Sequence, residues 1–405
     1  MLKPTPFHER TTALAQSWKF KDWAGKVAIS AYDAHSEREY FGVRHAAGLM
    51  DASPLYKYDL YGPDAAKLLS RVATRDITRK FGVGRVTYCT WCDERGHVLD
   101  DGTISHLAPE HFRLTSSEPW LRWLLRHGRR LDVRVEDSTD RLGCLALQGP
   151  NSRHILEQCV DFDMDRMRFF RVRKTRLDGL DVWVSRTGYT GDLGFEVWVD
   201  RADALAVWDA LMANGQRFGI TPMGLDALDV LRIEAGFMLQ GVDYFSSKSC
   251  IIEARKSTPH ELGLGQAVDL TDRAFPFVGQ EAIEAELKRG HKWALVGLDV
   301  SWPELEALYE EYSLPPHLAP IACRDAVPVY QEDGRTQVGQ ATSHTWSPLL
   351  KQQLSLASVH PRYAKPGTQL KIEHTVEYER RVVTATVVER PFFDPERKRT
   401  TPGRA

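Results

Sequence analysis

The chain has 405 residues, a formal charge of −2, 42% apolar and 27% charged residues. That is the make-up of an ordinary globular protein, long enough to bury more than one core in roughly two or three domains. The balanced charge argues against a general affinity for nucleic acid or an anionic membrane, and no apolar run approaches the roughly 20 residues that span a bilayer.

From the N-terminus, Met1-Leu-Lys-Pro-Thr-Pro-Phe-His-Glu9 has no apolar signal core. Tyr58-Asp-Leu-Tyr-Gly62-Pro63-Asp64-Ala-Ala-Lys-Leu-Leu69 reads as a strand ending in Gly-Pro, an Asp N-cap and a helix. Segments 84–107 and 111–115 read as antiparallel strands, the return strand carrying Asp100 and Asp101, and Pro119 to Arg130 as an amphipathic helix. Leu145-Ala-Leu-Gln-Gly149-Pro150-Asn151-Ser-Arg-His-Ile-Leu156 echoes the first strand–cap–helix unit, which suggests two related α+β halves. Strands at 170–184 and 195–199 flank a glycine-rich stretch and lead to helices at 202–214 and 224–235, the second stopped by Gly236. Short β-runs at 293–300, 368–373 and 381–388 predict a β-rich C-terminal domain, and 394–405, with Arg397-Lys398-Arg399, a frayed tail. The expected units are 1–140, 141–285, 286–393 and the tail 394–405.

The six cysteines, at 89, 92, 144, 159, 250 and 323, are sparse and fit a reducing cytoplasm. Cys89-Thr-Trp-Cys92 lies in an alternating strand pattern with no second C-x-x-C to complete a zinc site, so a structural role is expected. The 14 histidines show no ligand spacing, and no metal is predicted. No G-x-G-x-x-G fingerprint indicates a dinucleotide. Basic runs at 126–130 and 171–176 read as solvated faces.

The most informative stretch is Arg186-Thr-Gly-Tyr-Thr-Gly-Asp-Leu-Gly-Phe-Glu196. Glycines 188, 191 and 194 permit tight turns and close approach of a ligand, Tyr189 offers a flat ring, and Glu196 can accept two hydrogen bonds from a planar amide edge. An aromatic face with a carboxylate edge suits a reduced pterin; a β-hairpin loop filling a core reads equally well from this stretch alone.

Taken in order with the 84–103 segment, Gly224–Gly236, Ala341-Thr-Ser-His-Thr-Trp-Ser-Pro-Leu-Leu350 and Arg390-Pro-Phe-Phe393, the stretch resembles the glycine-cleavage T-protein (aminomethyltransferase) family over nearly the whole chain. The resemblance implies an α+β, three-domain fold around a central folate cavity, with a C-terminal β-barrel. It implies a cytoplasmic one-carbon transferase that uses tetrahydrofolate as co-substrate and takes its carbon from a small molecule or a lipoyl-carrier protein. By matching positions, Asp100 is the expected catalytic carboxylate, with Asp101 turned to the opposite face. Tyr88, Tyr189, Glu196 and Arg232 are expected to bind folate, although Arg232 can also be read as a surface partner of Asp229.

Several positions depart from the family. Asp51-Ala-Ser53-Pro54-Leu55 has proline in place of a histidine, resembling instead the folate domains of dimethylglycine and sarcosine dehydrogenases. Leu228 stands where an arginine is frequent, Leu114-Thr-Ser116-Ser117 lacks the usual asparagine, and Gln240 to Arg255 replaces the donor-side loop. Asp243 and Tyr244 are the donor-pocket candidates. The readings left open are an aminomethyltransferase, a tetrahydrofolate-dependent demethylase of a sulfonium, amine or aryl methyl ether, and a folate-binding iron–sulfur maintenance protein. The last is disfavoured because Ser247-Lys-Ser-Cys250-Ile-Ile-Glu253 lacks its glycines and Gln-Glu pair.

Overall fold

The computed structural model describes residues 2–79, 81–317, 319 and 321–400. Three large sheets organise it, beside an N-terminal hairpin of Lys19–Trp23 and Lys26–Ala31. An antiparallel five-stranded sheet runs in the order Val86–Cys92, Val98–Ala108, His111–Ser116, Tyr56–Tyr61, Arg134–Asp137. A six-stranded sheet runs Val172–Leu177, Leu180–Ser185, Gly194–Asp200, Leu142–Gln148, Ala47–Asp51, Ile220–Pro222, with only the last pair parallel. Strands Ala294–Val300, Gln352–Val359, Gln337–Ser347, Val327–Tyr330, Gln369–Val376 and Glu379–Val388 close a barrel, as the C-terminal β-runs predict.

Side-chain alternation decides which face of each sheet is dry. In Gly194–Asp200, Phe195, Val197 and Val199 enter a core with Ile155, Leu156, Val207 and Leu211 of the helices Ser152–Cys159 and Ala204–Gly215. Glu196 is thereby turned to the other face. In the helix Ala65–Val72, Leu68, Leu69 and Val72 recur at helical spacing and pack on Leu60, Ile104 and Leu114 of the five-stranded sheet. Cys89 and Cys92 are buried free thiols on a strand, raised by burial, which agrees with a structural role.

Three expectations are corrected. The 1–140 boundary cuts across a sheet, because Ala47–Asp51 pairs with Leu142–Gln148 and Ile220–Pro222. Its residues Ala47 to Met50 are buried on both faces, so it is stable only as an interior strand. The two Gly-Pro units do superpose in character, with φ +122° at Gly62 and +119° at Gly149, but neither following residue caps its helix through its side chain. Asp64 instead accepts from the Asp132 amide at 2.9 Å, and Asn151 donates to the Phe218 carbonyl at 3.0 Å. The segment 394–400 is not frayed: Arg397 forks onto Asp192 at 2.7 and 2.8 Å, and Arg186 donates to the carbonyls of Arg397, Lys398 and Thr400. Residues 401–405 lie outside the described residues.

The units are locked by one buried ion cluster. Arg44, on the helix Glu37–His45, is fully buried, as are Glu234 and Asp192. Its Nε meets Glu234 at 2.9 Å and its Nη1 meets the Thr190 carbonyl at 3.0 Å and Asp192 at 3.4 Å. Tyr40 and, from the barrel, Ser347 donate to the other Glu234 oxygen. Removing one member of such a set strands the rest without compensation. Arg44→Met should lower stability by about 3–5 kcal/mol, read as a shift in the urea midpoint; an unchanged midpoint would show that the cluster is dispensable.

Candidate active site

The sequence-predicted residues gather around Asp101. It lies on Val98–Ala108, cross-strand from Thr90, and accepts from Tyr88 Oη at 2.9 Å and from Tyr244 Oη. Tyr189 stands on the glycine-rich loop, where burial pushes its hydroxyl up. Its ring stacks on Phe237 at 5.5 Å and 24°, and its hydroxyl donates to the Met238 carbonyl. Burial pushes the Asp101 carboxyl up, while the two tyrosine hydroxyls pull it back down.

Asp100 faces the other way. It is 0% exposed, and its oxygens accept from Ser117 Oγ at 2.6 Å, the Asp101 amide at 2.8 Å, the Glu118 amide at 3.0 Å and Trp120 Nε1 at 2.7 Å. The carboxylate that meets the tyrosines is therefore its neighbour, a residue the sequence reading turned away. The signal was present in strand alternation: Tyr88 pairs with Thr103, two residues from Asp101 and hence on the same face.

Arg232 is buried, not a surface residue, though its Asp229 partner is as expected, at 2.8 Å. It also holds Asp243 at 2.6 Å, the Phe237 carbonyl at 3.2 Å and Ser343 at 2.8 Å. Asp243 in turn accepts from the Leu239 amide at 2.8 Å and from Thr342 and Ser343, both at 2.6 Å. Arg232 and Asp243 thus spend their hydrogen bonds on the protein. They fix the turn from Leu239 to Tyr244 that delivers the Tyr244 hydroxyl to Asp101.

Glu196 is set apart from this group on the six-stranded sheet, where its charge faces the Cys144 thiol. Thr187 at 2.8 Å and Ser185 at 3.4 Å both donate to Oε2, and burial raises its proton affinity. The glycines of the loop permit a tight turn at Gly191, as expected, and also make room for the protein's own side chains. A methyl group at Gly188 or Gly194 would meet the Gln148 amide at 2.0 and 2.1 Å, and at Gly191, φ +75°, the Ala235 methyl at 2.6 Å. Close approach is made by protein: Gln148 threads the loop, donating to the carbonyls of Thr187 and Phe195 and accepting from Thr190.

Comparison with known proteins fits this geometry. The family description "GCVT N-terminal domain" matches residues 7–272 and "Glycine cleavage T-protein C-terminal barrel domain" matches 314–394. The chain belongs to the glycine cleavage T-protein family, a family of one-carbon transferases. An aminomethyltransferase of Rubrobacter xylanophilus is 34% identical over 99% of this chain and 96% of its own length. One from Bacillus pumilus is 31% identical over 97% of this chain and 99% of its own. A trimethylamine-oxide aldolase of Ruegeria pomeroyi is 31% identical over 98% of this chain, which spans only 48% of that protein. The glycine cleavage system aminomethyltransferase T of Bartonella henselae shares the fold, with a TM-score of 0.80 over 97% of this chain and 99% of that one at 23% identity.

If Gln148 is what the T-protein loop wraps, Gly194→Ala should destabilise by about 1–3 kcal/mol through overpacking. The cost should shrink in a Gln148→Ala background, a coupling measured by a double-mutant cycle. Additive effects would assign the glycine to backbone conformation instead.

Proposed function

We propose that this chain is a tetrahydrofolate-dependent one-carbon transferase whose acid–base carboxylate is Asp101. The observation that carries this reading is the Asp101 environment: a half-buried carboxylate hydrogen-bonded by Tyr88 and Tyr244. Tetrahydrofolate, when bound, supplies the N5 amine that receives the carbon. Asp101 suits the accompanying proton, because burial brings a carboxyl closer to neutral pH than in water and general acid–base efficiency is best there. As an anion in a dry site it also favours positive charge on a nitrogen of the donor or the pterin.

The chain's residues fit such a co-substrate. Both hydrogen bonds to Glu196 end on Oε2, so Oε1 keeps its lone pairs for pterin N–H groups. Tyr189, braced by Phe237, presents an aromatic surface. Asp100, with four donors in place, is unsuited to ligand contact. Arg232 and Asp243 are positioning residues for Tyr244.

The donor we propose is an aminomethyl group, brought by a lipoyl-carrier protein as in the family. The likeness to a trimethylamine-oxide aldolase favours a second reading, in which the carbon comes from a methylated amine. The mass of the folate product, 5,10-methylene- or 5-methyl-tetrahydrofolate, separates methylene from methyl transfer, and trials with each donor name the source.

Anaerobic calorimetry with tetrahydrofolate should show roughly micromolar binding that Glu196→Ala abolishes. Asp101→Asn should keep most of that affinity while turnover falls by about 10²-fold or more, as for a lost acid–base group. Normal turnover in Asp101→Asn would overturn the assignment.

A further inference from the structure

Asp100 and Asp101 are consecutive on one strand and point to opposite faces, so they meet different partners. Ser117 Oγ and the Asp101 amide donate to Asp100 Oδ1; the Glu118 amide and the Trp120 indole donate to Oδ2. These four donors fill the lone-pair directions of an ionised carboxylate. A proton on Oδ2 would face two N–H groups that cannot accept it, and on Oδ1 it would face the Asp101 amide. Ser117 is the only donor able to reverse, and it also touches the Gln240 side-chain amide. Gln240 accepts there through Oε1, so the single Ser117 proton is shared between two acceptors, and the three N–H groups, which cannot reverse, are what hold Asp100 ionised.

Asp101 differs in kind. Its two partners are hydroxyls, and either can rotate to accept a hydrogen bond from a protonated carboxyl. The groups that meet it are Tyr88 from the neighbouring strand and Tyr244 from the turn after Leu239; Asp100 and Cys89 lie on the opposite strand face, and their charges, with that of Tyr189 on the glycine-rich loop, act on it through space. Among the described residues neither aspartate has a cationic ion-pair partner. Burial pushes both carboxyls up, and the charge of Asp101 raises Asp100 further. The hydrogen bonds decide which of them takes the proton.

We propose that Asp100 is a positioning residue for Asp101: it stays ionised, anchors the peptide that carries Asp101, and by its charge leaves the pair's proton on Asp101. The catalytic consequence rests on the function proposed above; the placement of the proton does not. Asp101 is then held ready to exchange a proton at neutral pH by a neighbour that never touches the reacting atoms.

The test is infrared titration of the protonated-carboxyl band in the full-length protein without ligand, as difference spectra between wild type and variants. Asp101→Asn should delete one band. Asp100→Asn should keep that band but lower its midpoint by about one pH unit or more, since a buried like charge is gone. A band that survives in Asp101→Asn, or an unmoved midpoint in Asp100→Asn, overturns the proposal. Asn at position 100 turns an NH₂ toward donors and can fail to fold, so Tyr244→Phe is measured beside it. That change removes a donor from Asp101 alone and should raise the midpoint; no change would show that the titrating group is not Asp101. Tetrahydrofolate calorimetry on the same samples keeps the two ideas apart. A wild type that shows the expected band and binds no folate refutes the function and leaves the proton assignment standing.

Discussion

The helix Leu225–Glu234 is the part on which the rest of the structure depends, because it carries Asp226, Asp229, Arg232 and Glu234 buried within ten residues. Buried charges are tolerated only when each finds a partner, and here, besides the Arg232–Asp229 pair within the helix, each also finds one outside it. Lys21 of the N-terminal hairpin meets Asp226 at 2.5 Å, and Arg324 meets Asp229 at 2.7 Å. Asp243 and the barrel residue Ser343 take Arg232, and Arg44 takes Glu234. The helix is well solvated by protein only when hairpin, central sheet and barrel have all arrived. A site that draws on these units inherits its geometry from that requirement.

The same economy of partners runs into the site. Arg232 fixes Asp243, Asp243 fixes the turn, and one residue further on Tyr244 reaches Asp101. Asp192, two residues before Gly194, is held by Arg44 and by Arg397 from the C-terminal segment, which ties the glycine-rich loop to both ends of the chain. The loop's shape is thus set by ion pairs and by Gln148. Its glycines are needed for the protein's own packing before any ligand is considered.

Periodicity made the strands and helices legible in the sequence wherever one face is dry and the other wet, as in Ala65–Val72 or Gly194–Asp200. It was blind to Ala47–Asp51, whose burial on both faces leaves no alternation to detect. Nor does local patterning reveal that Arg44 pairs 190 residues away with Glu234. For the site, the family resemblance pointed to Tyr88, Tyr189 and Arg232, and the altered loop to Tyr244. They were not enough to choose between adjacent aspartates, since that choice depends on which strand face carries the tyrosines. Counting by twos from the Tyr88 partner Thr103 reaches Asp101; the register that makes the count possible is a tertiary fact.

Two of the positions where the chain departs from its family meet in space. Ser117, after the folate-side strand, and Gln240, in the altered donor-side loop, touch each other, and Ser117 also donates to Asp100. The loop with Pro54 in place of histidine is pinned from beneath by Lys57, which is 0% exposed and donates to the Ser53 and Leu55 carbonyls, both at 2.6 Å. Burial pushes that ammonium down to about 8, a cost accepted where the two carbonyls are otherwise unmet. Drift without function would leave such buried polar groups unpaired, because an orphan in a dry interior costs more than its replacement by an apolar side chain. Here the substituted residues satisfy one another.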